Sequence, residues 1–462
     1  MRKILALVIC LTMLLSALLI SGCTPGGEEV YVEEGATEIK VYAREFEQWA
    51  KDHLNNLANE FNKDLTDGIQ VKIQFYTQDT YADALTVARE NGKAPDLYMT
   101  TYGELYTNIQ NNYCISIDEY LSTEAVDDIL DVCKEMVTYN DSIYAYPWNM
   151  EPGSMFFYRK DLFAEAGIEK VPTSWEELYD ACEKLSGILS RGQYCIGLPL
   201  GSYECTWVTY GMQQNTTGGL TLDESWRVSR LDEPGFKDIA EFFYTVFSND
   251  WAPTSALTSE GYTYIVDALC DNNPKLAMTF GGSWSIAEIY NYTESDQTII
   301  DNIGVAPIPT QSGDQTGTTS ANGGWCYCIS KQSKNADKAA KFLNWMFTEN
   351  AERTAQYFIE AYNSKAPTSQ SVKDYLDGYN SEVPQEWIKV VNDVAATGIP
   401  EATYPWDISL ETGKIFETMQ VRCKTGAFET LYATALQTAQ ENIEIIMSRS
   451  NYPSNPKYDY GD

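Results

Sequence analysis

Between Ile39 and Phe75 the hydrophobic period switches twice, which restricts the fold to strands joined by helices. Ile39-Lys40-Val41-Tyr42 alternates as a half-buried strand does. Glu47 to Lys63 carries Trp49, Leu54, Leu57, Ala58 and Phe61 at helical spacing. Ile69 to Phe75 then alternates strictly again, with Val71, Ile73 and Phe75 on one face. Strand, helix, strand is the opening unit of an α/β domain with a largely parallel sheet, because a parallel neighbour is reached only through a crossover.

Later segments continue the alternation. Tyr81 to Glu90 predicts a helix, and Pro95-Asp96-Leu97-Tyr98 a turn feeding a third strand. Trp175 to Leu189 predicts a helix, with Thr173 or Ser174 as N-cap and Glu177 placed to close a capping box. Lys334 to Thr348 and residues 425–447 predict two more helices, the first burying Ala336, Ala339, Ala340, Phe342, Leu343 and Trp345.

The chain has 462 residues, 44% of them apolar and 13% aromatic, which suits a folded protein of two domains or lobes. Its net charge of -34 disfavours nucleic acid and anionic membrane as partners, and permits neutral or cationic ligands. Beyond residue 23 there are nine cysteines, Cys114, Cys133, Cys182, Cys195, Cys205, Cys270, Cys326, Cys328 and Cys423. An odd count on a long chain does not describe a disulfide framework, so these read as buried thiols, with one or two local disulfides open. A zinc site needs more Cys or His at fitting spacing than the lone His53 supplies, and neither metal nor cofactor is called for.

Arg2 and Lys3 lead into the apolar run Ile4–Ile20, which closes on Ile20-Ser21-Gly22-Cys23. This is the layout of a signal peptide, residues 1–22. The closing residues resemble the lipobox of bacterial lipoproteins, and that resemblance implies cleavage before Cys23 and acylation of its thiol. Loss of Arg2 and Lys3 takes the net charge from -34 to -36. Residues 23–38, with Thr24-Pro25-Gly26-Gly27 and an acidic stretch, read as a flexible tether. No later stretch has the ~18 consecutive apolar residues of a membrane helix, so the mature protein is expected on the extracytoplasmic face, anchored rather than spanning.

Six further segments, in order, resemble the carbohydrate-binding proteins of ABC importers, the family that includes maltose-binding protein. They are Ala94-Pro95-Asp96-Leu97; Tyr144-Ala145-Tyr146-Pro147 with Phe157-Tyr158-Arg159-Lys160-Asp161-Leu162-Phe163 and Ala166-Gly167-Ile168; Pro172-Thr173-Ser174-Trp175; Ala277-Met278-Thr279-Phe280-Gly281-Gly282-Ser283-Trp284; Ile303-Gly304-Val305-Ala306-Pro307; and Gly323-Gly324-Trp325 with Ile329-Ser330-Lys331. The resemblance implies a two-lobe periplasmic-binding-protein-like α/β fold with discontinuous lobes and a hinge. Lobe one is expected at 39–149 plus 301–346 and lobe two at 150–300 plus 347–462, with the first crossover near Pro147 to Pro152. It also implies a monomer that closes on a carbohydrate and delivers it to permease subunits.

A sugar shows C–H faces and a rim of hydroxyls, so a receptor meets it with flat aromatics and with groups that make paired hydrogen bonds. With 11 Trp and 32 Tyr, position must choose among the aromatics. Trp284, after two glycines, matches the family's sugar-stacking tryptophan. The spacing of Glu151 from Pro147 matches a sugar-binding glutamate, and Trp148 and Asn149 share that crossover. Trp325 and Trp406 sit where family members place cleft aromatics. Glu47 follows the first strand, near Arg44 and Glu45, although a carboxylate there also suits a helix N-terminus. Tyr102 and Glu104 follow the Pro95-Asp96 strand, and Tyr210 is a further candidate. Thr100 stands where maltose-binding protein has a tryptophan, so maltose is not implied.

Two other classes fit the composition. An extracellular glycoside hydrolase needs two carboxyls ~5–9.5 Å apart across a bond, and 66 acidic residues always offer pairs. A receptor for a peptide, polyamine or other cation needs convergent carboxylates within an aromatic cage.

Overall fold

In the computed structural model the described residues are 35–63, 68–199, 201–254, 263–450 and 452–455. The signal peptide, Cys23 and the tether as far as residue 34 lie outside them. Two sheets organise the chain. The first holds β1 (Thr37–Arg44), β2 (Ile69–Tyr76), β3 (Leu97–Thr101), β6 (Tyr146–Pro152), β11 (Ala321–Ile329) and β12 (Ile399–Pro400). The second holds β7 (Met155–Arg159), β8 (Tyr194–Gly197), β9 (Leu276–Gly281) and β10 (Ile303–Pro307), in the order β10-β7-β9-β8. A short hairpin, β4 (Thr138–Tyr139) with β5 (Ser142–Ile143), stands apart.

The opening unit forms as its periodicity dictates. β1 pairs in parallel with β2 from Thr37↔Ile69 to Arg44↔Tyr76, and with β3 at Val41↔Leu97. The helix Gln48–Lys63 buries Leu54, Leu57, Ala58 and Phe61 against this sheet. At the helix Trp175–Ser186, Ser174 Oγ accepts from the Glu177 amide and Glu177 reaches back, which completes the capping box.

Three of the five strand pairings in the first sheet are parallel, as the opening unit predicts, whereas the second sheet is parallel only between β8 and β9. β11 runs antiparallel to both β3 and β6, and in the second sheet β7 is antiparallel to β9 and β10. The reason is the chain path. A strand arriving from the other sheet needs no helical crossover, so it can enter in either direction.

The chain passes between the sheets three times. β6 leads to β7 through Gly153-Ser154, β10 returns to β11, and β12 leads into the helix Trp406–Arg422. The first passage falls just after Pro152. The strand 303–307 belongs to the second sheet, bonded to β7, rather than with the first as a range starting at 301 required. The helix Ala351–Glu360 packs on Gln48–Lys63 of the first sheet's layer, and β12 pairs with β11, so 347–400 is not wholly a second-lobe segment. At the passages the two hinge strands are tied together: Gly153 N donates to Ala321 O at 2.9 Å and Ser154 N to Ser320 Oγ at 2.9 Å.

All nine cysteines of the described residues are buried free thiols; Cys326 and Cys328 alternate along β11, with Cys326 Sγ 3.4 Å from Thr100 O. Among the described residues no helix is long and apolar enough to cross a membrane.

Candidate ligand-binding site

The site is built where β6 and β11 run side by side. Their register sets Asn149 opposite Trp325 and Glu151 opposite Gly323, with a bulge between Trp325 and Cys326. Gly324 is required here: its φ is 130°, and a Cβ would stand 2.2 Å from the Asn149 carbonyl oxygen. That approach lets Asn149 Oδ1 accept from Trp325 N at 3.3 Å while its Nδ2 donates to the Tyr357 hydroxyl at 2.9 Å.

Aromatic faces cluster on this pair of strands. Trp148 lies 4.4 Å from Tyr357 and 5.7 Å from Tyr327 by ring centroid, and Phe46 meets Trp325 edge-on at 4.9 Å. The Arg44 guanidinium, at the end of β1, sits 4.9 Å over Trp325 and 5.3 Å over Phe46, a cation–π arrangement. Trp284, half-buried, begins the turn that leaves β9; its ring covers Gly282, where a Cβ would meet it at 2.1 Å. That contact explains Gly282, whereas a Cβ on Gly281 would press on Ser285 Oγ at 3.0 Å.

Charge is concentrated at the same place. Lys365 Nζ forms a buried ion pair with Glu151. Burial lowers the Lys365 pKa, but Glu151, Glu47 and Glu288 outweigh it and the net shift is upward. Glu288, one helical turn beyond Trp284, is pushed up to about 7 by burial and by Glu47, against Lys365 and a Ser285 hydrogen bond. Its Oε2 is buried without a hydrogen-bond partner. Glu401 is raised to about 8, first by burial, with Glu104 and Glu151 adding to it and the Gly103 and Tyr102 amides opposing.

The structure brings together Glu47, Trp148, Asn149, Glu151, Trp325 and, through Glu401, Glu104. Trp284 is linked to them by its neighbour Glu288. Tyr102 is nearby but buried, its hydroxyl donating to Asn149 O at 2.9 Å, so it supports the hinge strand from behind. Trp406 stands half-buried in the first turn of its helix. Tyr210 is a correction: it is 0% exposed and hydrogen-bonded to Ser409 Oγ at 2.8 Å, a core residue between two helices. The neighbour that reaches the hinge is Trp207, whose ring a Cβ on Gly323 would meet at 2.6 Å. The two rings are neighbours on the helix, centroids 5.8 Å apart, and what holds Tyr210 in the core is the Ser409 hydroxyl.

Sequence reasoning missed Tyr357, Lys365, Glu288 and Glu401. Only Glu288 carried a local signal, its spacing of four from Trp284 on a helix. The other three reach the site through long-range packing.

Two α/β sheets joined by hinge strands, with aromatic and acidic groups at the joint, define a two-lobe binding protein. The chain belongs to the bacterial extracellular solute-binding protein family, whose model matches residues 47–353. It is similar to a maltotriose-binding protein of Pyrococcus abyssi, 24% identical over 295 residues, 63% of this chain and 58% of that protein. The chain thus spans somewhat over half the length of that relative. A mannitol-binding protein of Pseudomonas aeruginosa is 25% identical over 356 residues, 71% of this chain and 75% of its own. Among solved structures, the sugar-binding protein MalE from Xanthomonas citri matches with TM-score 0.70 at 18% identity, over 88% of this chain and 98% of that one. A solute-binding protein from Thermotoga lettingae bound with α-D-tagatose gives TM-score 0.68 at 21% identity, over 88% and 100%. These likenesses show the two-lobe fold, and as members of this family such proteins work outside the cytoplasm.

Proposed function

We propose that this chain is a lipid-anchored receptor that binds a sugar or oligosaccharide between its lobes and delivers it to an ABC permease. The observation that carries the reading is the meeting of Asn149, Glu151 and Trp325 on the hinge strands with Trp284 and Glu288 leading off the second sheet. Such a set offers flat faces to C–H patches and paired acceptors to hydroxyls, which is what a sugar needs.

By sheet membership, lobe one is 37–152 with 321–360, lobe two is 153–320 with 401–450, and 361–400 lies along the junction. Closure is then a hinge motion at the three passages, and the closed form is what the permease engages. The protein acts as a monomer, by binding and release, without turning the sugar over. Cys23 carries the lipid, Glu47, Glu104, Glu151, Trp284, Trp325 and Trp406 are the cleft residues, and the buried Trp148 and Asn149 support them from the hinge strand.

A thermal-shift screen of mono- and oligosaccharides tests the reading. A cleft ligand raises the melting temperature through RT ln(1 + [L]/Kd), about 2.7 kcal/mol at a hundredfold excess over Kd. Shifts with peptides or polyamines alone, or new reducing ends from an oligosaccharide, would overturn it.

A further inference from the structure

The ammonium of Lys365 is withdrawn from water and left with spare donors. The residue is 8% exposed, and among the described residues its hydrogen-bond partner is Glu151 Oε1. An ammonium has three N–H donors, so two are unused. The loop that delivers it is firmly placed. Tyr362 and Asn363 turn the chain with φ of 52° and 49°, Ala366 exchanges hydrogen bonds of 3.0 and 2.9 Å with Met150, and Thr368 Oγ1 donates to Pro147 O at 2.9 Å. Lys365 is therefore fixed to the hinge strand.

Glu288 presents the complementary deficit from the other sheet's layer. It stands on the helix Ser285–Tyr292, immediately after β9 and Trp284, and Ser283 N donates to Pro152 O at 2.8 Å, which seats the start of this helix beside the end of the strand that carries Glu151, the partner of Lys365. Glu288 Oε2 is shut off from water and accepts nothing. Buried donors and acceptors left unmatched are costly, so both groups favour whatever satisfies them together.

We infer that Lys365 and Glu288 are specificity-determining residues that read a vicinal diol of the ligand. Lys365 donates to one hydroxyl oxygen, and the neighbouring hydroxyl donates to Glu288. Glu151 keeps its ion pair and holds the ammonium in place. Because the two groups stand on elements of different sheets, the diol becomes a bridge across the joint. A simple amine offers donors alone and leaves Lys365 unmatched. The inference rests on the sugar-receptor reading and narrows its ligand to one with adjacent free hydroxyls.

Titration calorimetry of the full chain with D-glucose, D-mannose, D-mannitol, maltose and maltotriose tests it, on wild type, Glu288→Met, Lys365→Met and the double variant. Each single change is expected to weaken a sugar that wild type binds at least tenfold, with the double variant less than additive. Glu288→Met removes the acceptor at similar volume, and it carries the test alone if Lys365→Met strands Glu151 and does not fold. Binding within twofold of wild type in folded Glu288→Met would overturn the inference and leave the receptor reading standing. Wild type that binds no sugar of the panel overturns both.

Discussion

The backbone amide of Gly103 donates a 2.7 Å hydrogen bond to Oε1 of Glu401, joining the helix after β3 to the last passage between the sheets. The fit is close: a Cβ on Gly103 would stand 2.9 Å from Glu401 Cδ. The carboxyl is buried, with Glu104 and Glu151 within electrostatic reach. It is held by geometry in a place that disfavours its charge.

That conflict sets a pH dependence. Burial, with neighbouring carboxylates, raises Glu401 to about 8 and Glu288 to about 7. Between an unfolded value of about 4.3 and these, the native state binds protons that the unfolded chain has released. Their stabilising contribution is full below the unfolded pKa and is lost as pH rises through 7 to 8. Urea denaturation should therefore show stability falling between pH 5 and 9. Glu401→Gln keeps an acceptor for Gly103 and should flatten the slope. An unchanged slope in that variant would refute the assignment.

Gly324→Ala probes the contact between the hinge strands. The new Cβ would need to occupy space 2.2 Å from the Asn149 carbonyl oxygen, at a φ of 130° that side chains rarely adopt. Strain and overpacking of this kind each cost about 1–3 kcal/mol. A loss of about 3 kcal/mol in chemical denaturation is expected. A loss below about 0.5 kcal/mol, the scale of an ordinary surface substitution, would mean that the strands can part freely.

Trp148 and Trp284 should separate under the same substitution. Trp148 is packed between Tyr357 and Tyr327, so Trp148→Ala leaves a cavity and should cost about 3–5 kcal/mol of stability. Trp284 is half-buried at the head of a helix, and Trp284→Ala should spare most of the stability while weakening sugar binding about tenfold, the scale of one lost aromatic contact. Equal losses of stability in both would place Trp284 in the core.

Much of this was legible in the chain because local periodicity decides local structure. β1, the helix Gln48–Lys63 and β2 follow from apolar spacing, and Ser174 with Glu177 announced a helix start. The parallel pairing of β1 with β2 and β3 was legible, but the antiparallel entry of β11 was not, since nothing near residue 321 records its partners. The site divides in the same way. Glu151 and Trp325 were readable because they lie on hinge strands with marked motifs. Lys365 reaches Glu151 across a separation of 214 residues, which only the fold can supply. Tyr210 shows the converse: its segment was well placed, with Trp207 against Gly323, but the Ser409 that claims the Tyr210 hydroxyl lies 199 residues away.

Anchoring through Cys23 is expected to be separable from sugar binding. Cys23 lies outside the described residues, and its role rests on Ile20-Ser21-Gly22-Cys23. One acyl chain holds a protein to a bilayer only marginally, with K of about 10⁴ M⁻¹, whereas two chains anchor it stably at about 0.8 kcal/mol per buried CH₂. Cys23→Ser should abolish incorporation of labelled palmitate and move the protein from the membrane fraction to the soluble fraction or to an unprocessed precursor. A variant that still carries the label would place the lipid elsewhere on the chain. The same experiment bears on delivery: sugar affinity, set at the hinge, should be the same in the released protein, while uptake into cells should fall.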